Sequence, residues 1–179
     1  MKIDYLAVQP AQYAATAKVV QQAFASAAHS DHDEHNLIGR LRKTPTYQPT
    51  FDVLAATSAG EIVGHVMLSK ATVTTQPTAA PGIAVLAPLA VLPAYQGQGI
   101  GGQLLRTVEQ RAVAVGVPAI SILGDPAYYG RFGYRPASQF GITAPMAIPA
   151  AYFMLRELTP GALAAYQGEL HYDPAFGIA

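Results

Sequence analysis

The chain has 179 residues, 51% of them apolar, with eleven acidic side chains, eleven basic ones and no cysteine. That length and composition fit a single globular domain over residues 1–179 with a sizeable core, and they exclude a disordered chain. Balanced charge supplies no field to draw in nucleic acid or an acidic membrane, and the absence of thiols excludes disulfides, a thiol nucleophile and a cysteine-ligated zinc site.

Met1-Lys2-Ile3-Asp4 alternates polar with apolar residues and does not resemble a secretion signal. No uncharged apolar run approaches the ~20 residues of a membrane span, so the expectation is a cytoplasmic protein. Ile3 to Val8 reads as a strand, after which Pro10 opens a helix with Ala17, Val20, Phe24 and Ala27 at apolar positions. His29 to His35 gathers three of the five histidines beside three acids and invites a metal site. Spacing opposes it: residues at i, i+3 and i+6 drift round a helix axis, and the zinc-protease signature needs His at i and i+4. The expectation is no metal and a solvated helix start, with Asp31 and Glu34 as a capping pair and Leu37, Ile38 and Leu41 turned inward. Phe51 to Thr57 and Glu61 to Lys70 read as antiparallel neighbours joined by Ser58-Ala59-Gly60, with Glu61 simply exposed at the turn. Thr72 to Gly82 reads as a connection, although Ala71 to Thr74 could prolong the sheet.

Ile83 to Val91 carries no charge and is interrupted only by Pro88, the pattern of a buried strand. A glycine-rich turn follows, and Gly102 to Val115 then repeats Leu104, Val108, Ala112 and Val115 along one helix face. Gly116 and Pro118 stop that helix, and Ala119 to Leu123 is a second apolar strand. Glycines beside a helix N-terminus bind anions, because the first turn leaves N–H groups unpaired and carries partial positive charge. A ligand with phosphates is therefore expected. Gly97, Gly99 and Gly102 also spell the G-x-G-x-x-G of a dinucleotide site, with Asp125 beyond them. Leu92 to Gln96 intervene between strand and glycines, however, and the ~55 remaining residues are too few for a second mononucleotide half, so a dinucleotide-binding oxidoreductase is a distant alternative. A nucleoside-triphosphate loop is excluded, since no Lys-Ser or Lys-Thr follows. Further on, Gly133-Tyr134-Arg135 and Ala151 to Leu158 read as closing strands and Pro160 to Tyr166 as a short helical turn, and the tail with Tyr172 and Phe176 packs back on the body.

Leu89-Ala90-Val91-Leu92-Pro93-Ala94-Tyr95-Gln96-Gly97-Gln98-Gly99-Ile100-Gly101 closely resembles the acetyl-CoA motif of the GNAT acetyltransferases. Asp125 to Tyr134 resembles the same family's short helix ending in Tyr-x-x-x-Gly-aromatic, and Phe153 to Leu163 resembles its YhbS-like bacterial branch. The resemblance implies an α/β (α+β) fold: a mixed, mainly antiparallel central sheet flanked by helices, with splayed central strands forming the acyl-CoA site. It also implies an N-acetyltransferase that moves an acetyl group from acetyl-CoA to a primary amine by direct attack in a ternary complex. Leu89, Ala90 and Val91 would then meet the pantetheine and carbonyl through their backbone, with Pro88 marking the bulge where pairing stops. Gln96, Gly97, Gln98, Gly99, Ile100, Gly101 and Gly102 would wrap the pyrophosphate.

Attack by a neutral amine builds charge on the carbonyl oxygen and expels a thiolate that needs a proton. Tyr129, four residues before Gly133, aligns with the family's tyrosine and is the candidate general acid. His65 is the candidate base, because an imidazole titrates near working pH. Neither a cysteine nor a G-x-S-x-G elbow offers a covalent route. In the family the second helix often borders the acceptor site, which adds Asp33, Glu34 and His35 as acceptor-side candidates. A non-catalytic acyl-CoA binding or sensing module is the alternative reading. The identity of the amine stays open, and so does the oligomeric state, a homodimer included.

Overall fold

In the computed structural model, which describes residues 1–178, the N-terminal alternation becomes strand β1 (Ile3–Ala7), and Pro10 starts a 3-10 turn that feeds helix α1 (Tyr13–Phe24). The elements that follow are α2 (Glu34–Leu41), β2 (Asp52–Thr57), β3 (Ile62–Thr75), β4 (Ile83–Val91), α3 (Ile100–Ala114), β5 (Ala119–Leu123) and α4 (Pro126–Tyr129). Strands β6 (Arg135–Pro136), β7 (Ile142–Thr143), β8 (Phe153–Glu157) and β9 (Gln167–His171) complete the order. Two units divide the chain: Met1–Ser69 with Ala87–Arg111, and Lys70–Leu86 with the residues from Ala112 on. β3, β4 and α3 each run through both.

In the first unit β1 pairs antiparallel with β2, Tyr5 opposite Ala55, and β2 pairs antiparallel with β3, Val53 opposite Val66. β4 lies beside β3, and the Leu92 N–H donates to the Val63 carbonyl at 2.9 Å. Leu54, Val63 and Val66 on the strands, Val20 and Ile38 on α1 and α2, and Leu104, Leu105 and Val108 on α3 are wholly withdrawn from solvent. Gly64 makes room for this packing, because a Cβ there would meet the Leu104 side chain at 3.0 Å and the Ala90 carbonyl at 3.1 Å.

In the second unit the start of β4 pairs in parallel with β5, at Ala84–Ile120 and Val85–Ser121. β5 pairs antiparallel with β8, and β8 with β6. The end of β3 pairs antiparallel with β9, which pairs in parallel with β7. The sheet is thus mixed and mainly antiparallel, with helices flanking it, as expected of the fold. The Ala87–Pro88 peptide is cis.

Some expectations shift. α2 begins at Glu34 with Asp33 in the N-cap position, while Asp31 accepts the Asp33 N–H at 3.0 Å and so shapes the turn before the helix. β3 runs on to Thr75 because β9 gives its end a partner, which shortens the expected connection. Residues 160–165 form turns without a regular helix, and the Tyr166 N–H closes on the Leu163 carbonyl at 2.9 Å. The Tyr172 and Phe176 rings lie 5.1 Å apart, a contact within the tail itself. Among the described residues no helix is long and apolar enough to cross a membrane.

Candidate functional site

The glycine turn belongs to the first unit. Pro93–Tyr95 forms a 3-10 turn after β4, and the chain then enters α3 through Gly97 and Gly99, whose φ angles of 73° and 80° lie in the left-handed region. A Cβ at either glycine would meet nothing within 4 Å. Both are therefore required by conformation and not by crowding, and both present bare backbone to open space. The Gln103 N–H closes the first helical bond on the Gly99 carbonyl at 3.0 Å, which leaves the N–H groups of Ile100, Gly101 and Gly102 without partners within the helix. Gln96 and Gln98 are exposed and bond back to nearby backbone: their Nε2 atoms donate to the carbonyls of Val91 at 2.9 Å and Ala94 at 3.3 Å. Leu89 and Val91 are half-buried and Ala90 is buried. The cradle suits a phosphate-bearing ligand.

His65 lies elsewhere in that unit, wholly buried. Asp52 pairs with Met67 and His65 with Leu54, so the two are diagonal neighbours on one sheet face, and His65 Nε2 sits 2.7 Å from Asp52 Oδ1. The same carboxylate accepts from Arg42 Nε at 2.7 Å, from Arg42 Nη2 at 3.1 Å and from the Tyr47 hydroxyl at 2.9 Å. Arg42 also reaches Thr16 Oγ1 at 3.0 Å and stacks over the Tyr13 ring at 4.1 Å. Burial pushes the Asp52 carboxyl up, but the hydrogen bonds and charges of His65 and Arg42 outweigh it and leave the group at about 2. Burial likewise pushes the His65 pKa down, against the pull of Asp52. A carboxylate can only accept, so Nε2 donates, and the buried Nδ1 has no partner among the described residues. The expected base is thus enclosed in the core and joined to a structural ion pair; no local pattern in the sequence announces Asp52 as its partner.

Gln21, Phe24, Ala25, His32, Glu34 and His35 line a hollow of about 260 Å³ beside α1 and α2. Asp33 is committed to Arg40 at 2.7 Å and Asn36 at 2.8 Å. Among the described residues no group of three or more His, Asp or Glu side chains is placed to hold a metal ion.

Tyr129 belongs to the second unit. Asp125 caps α4 by accepting the Ala127 N–H at 2.8 Å, and Pro126 opens the helix. The Tyr129 ring stands edge-on to Tyr128 at 4.9 Å and to Tyr134 at 5.9 Å. It lies so close over Gly124 that a Cβ there would collide with it. Burial, then the neighbouring Tyr128, raises its pKa, so the phenol keeps its proton at neutral pH.

The model of the acetyltransferase (GNAT) family matches residues 14–134. The chain is 36% identical over 130 residues to the uncharacterized N-acetyltransferase YjhQ of Escherichia coli K12, a match covering 70% of this chain and 71% of YjhQ. It is 30% identical over 127 residues to the uncharacterized N-acetyltransferase YhbS of the same strain, covering 71% and 74%. The crystal structure of Escherichia coli YhbS in complex with CoA superposes with a TM-score of 0.86 at 25% identity, over 98% of this chain and 92% of that one. A Brucella melitensis GNAT family acetyltransferase in complex with acetyl-CoA gives a TM-score of 0.79 at 28% identity, over 98% of each chain.

Proposed function

The chain belongs to the GNAT acetyltransferase family, and from that membership we propose that it transfers the acetyl group of acetyl-CoA to a primary amine by direct attack, its two units making one N-acetyltransferase domain. The observation that carries this reading is the turn into α3: two left-handed glycines, open in front, lead into a fifteen-residue helix. The N–H groups of Ile100, Gly101 and Gly102, with the backbone of Gln96 to Gly99, hold the pyrophosphate. Leu89, Ala90 and Val91 offer backbone groups to the pantetheine and the thioester carbonyl. The CoA and acetyl-CoA complexes of the two similar structures support the same ligand here.

In the reaction the amine nitrogen bonds to the thioester carbon, the carbon–sulfur bond breaks, and sulfur leaves with the electron pair. Tyr129, protonated at neutral pH, lends its proton to that sulfur and recovers one from the solvent. His65 is assigned to the frame instead of the chemistry, since a buried imidazole engaged with Asp52 cannot meet a substrate arriving from solvent. The amine therefore sheds its proton to water. Glu34 and His35, in the hollow beside α2, are the acceptor-side residues of this reading.

Thermal unfolding with acetyl-CoA, CoA, NAD and ATP in parallel tests the proposal. At a hundredfold excess over Kd, a ligand that binds the folded chain raises the melting temperature by about 5–10 °C. A rise with the two CoA species alone supports the loop reading, and thiol release across a panel of amines then separates a transferase from a non-catalytic CoA-binding module. No rise with either CoA species removes the assignment.

A further inference from the structure

Tyr95 stands two residues before the first left-handed glycine, and its phenol donates to Glu61 Oε2 at 2.7 Å, across 34 residues of sequence and within the first unit. The two partners differ in how firmly the fold holds them. Glu61 closes the turn between β2 and β3: its carbonyl accepts the Thr57 N–H at 2.9 Å, its own N–H donates to Thr57 Oγ1 at 3.2 Å, and Gly60 turns the chain with φ 85°. Tyr95 ends a 3-10 turn of three residues, and the polar side chains that follow it, Gln96 and Gln98, bond back to Val91 and Ala94 of the same strand and turn. The Glu61 bond ties that segment to a paired hairpin.

The charge of the anchor makes its position informative. On the reading above, the loop receives a coenzyme carrying phosphates, and a carboxylate within about a Debye length, ~10 Å at 0.1 M salt, repels it. A tie that shapes the loop in advance strengthens binding, because less ordering remains to be done when the coenzyme arrives. The two effects have opposite signs, so substitutions can separate them.

We infer that Glu61 is a positioning residue for the coenzyme loop, acting through Tyr95 to hold the backbone of Gly97 and Gly99 in the binding shape. The inference rests on the acetyltransferase reading. Its test is the Kd of coenzyme A, measured by calorimetry for the wild type, Glu61→Ala, Tyr95→Phe, their combination and Glu61→Gln, with the unliganded melting temperature of each. Tyr95→Phe weakens binding about 3- to 10-fold, the effect of one lost hydrogen bond; Glu61→Ala does the same at ~500 mM salt, where the repulsion it also removes is screened, and the combination is no weaker than Tyr95→Phe alone. Glu61→Gln keeps an acceptor and loses the charge, so it binds as the wild type does or more tightly, and any gain fades as salt rises from ~50 to ~500 mM. Unliganded melting temperatures stay within about 2 °C of one another, as exposed substitutions allow. At ~500 mM salt, equal Kd values for the wild type and Glu61→Ala overturn the inference, and so does a Glu61→Gln chain as weak as Glu61→Ala. A wild type that binds no coenzyme A overturns the acetyltransferase reading itself, and that result is distinct from a wild type and a Glu61→Ala chain that both bind.

Discussion

Gly97 and Gly124 are glycine for different reasons, and the difference can be measured. Gly97 has a left-handed φ of 73° and open space around it, so Gly97→Ala adds a methyl that touches nothing yet strains the backbone by about 1 kcal/mol. The expected outcome is a coenzyme A Kd raised about fivefold, read by calorimetry, with a melting temperature lowered by about 2–4 °C. Gly124 has no such φ, and what it lacks is room beside the Tyr129 ring. Gly124→Ala displaces that ring and, on the proposed role of Tyr129 as the acid, should reduce turnover by at least ~10-fold in a thiol-release assay. Tyr129→Phe keeps the ring and removes the proton, so turnover falls while coenzyme A affinity stays within about twofold. Gly97 and Tyr129 were visible in the sequence, because their motif residues are close together, whereas the need for a glycine at 124 appears only with the Tyr129 ring packed against it. The surroundings of His65 were not, since Val63-Gly64-His65-Val66 says nothing of Asp52 thirteen residues earlier.

At the scale of elements, the carboxylate of Asp52 joins α1, α2, β2 and β3 through Arg42, Tyr47 and His65. Asp52→Asn leaves Arg42 buried without its counter-charge and should destabilise the chain by about 3–5 kcal/mol, a fall on the order of 10 °C in melting temperature. Acid acts on the same cluster in two steps. His65 is lowered below its usual 6.5 by burial, so below that pH the unfolded chain binds a proton that the folded one refuses, and stability falls as pH falls. Asp52 is held at about 2 against an ordinary 3.8, so the roughly 2 kcal/mol it contributes is present above pH 4 and is lost as pH drops towards 2. Melting temperatures between pH 7.5 and 3 check this, and His65→Gln, which keeps a donor for Asp52, should flatten the upper step alone. The elements themselves were unequally legible. The stripe of Leu104, Val108 and Ala112 announces α3, whereas Gln167-Gly168-Glu169-Leu170-His171 has one fully buried residue and is a strand because β3 pairs with it.

At the scale of the molecule, the formal charge is zero at neutral pH with the histidines uncharged. A chain without net charge loses the repulsion that keeps copies apart, so its solubility at low salt should be lowest near pH 7 and rise by pH 9. Light scattering across that range checks it, and a minimum far from neutrality would point to strongly shifted groups. The division into two units was not legible, because β3, β4 and α3 read as continuous elements and each runs through both units.

By itself the sequence determined the strand, glycine turn, helix and strand from Ile83 to Leu123, and with them the family. These features are local: a helix face repeats within a few residues, and a left-handed turn needs glycine where it occurs. Tertiary structure alone decided that His65 serves Asp52, that Glu61 anchors Tyr95 and that residues 167–171 are a strand. Each of those outcomes depends on a partner 13 to about 100 residues away, brought near by strand register, and register arises from how whole faces pack and not from any single window of residues.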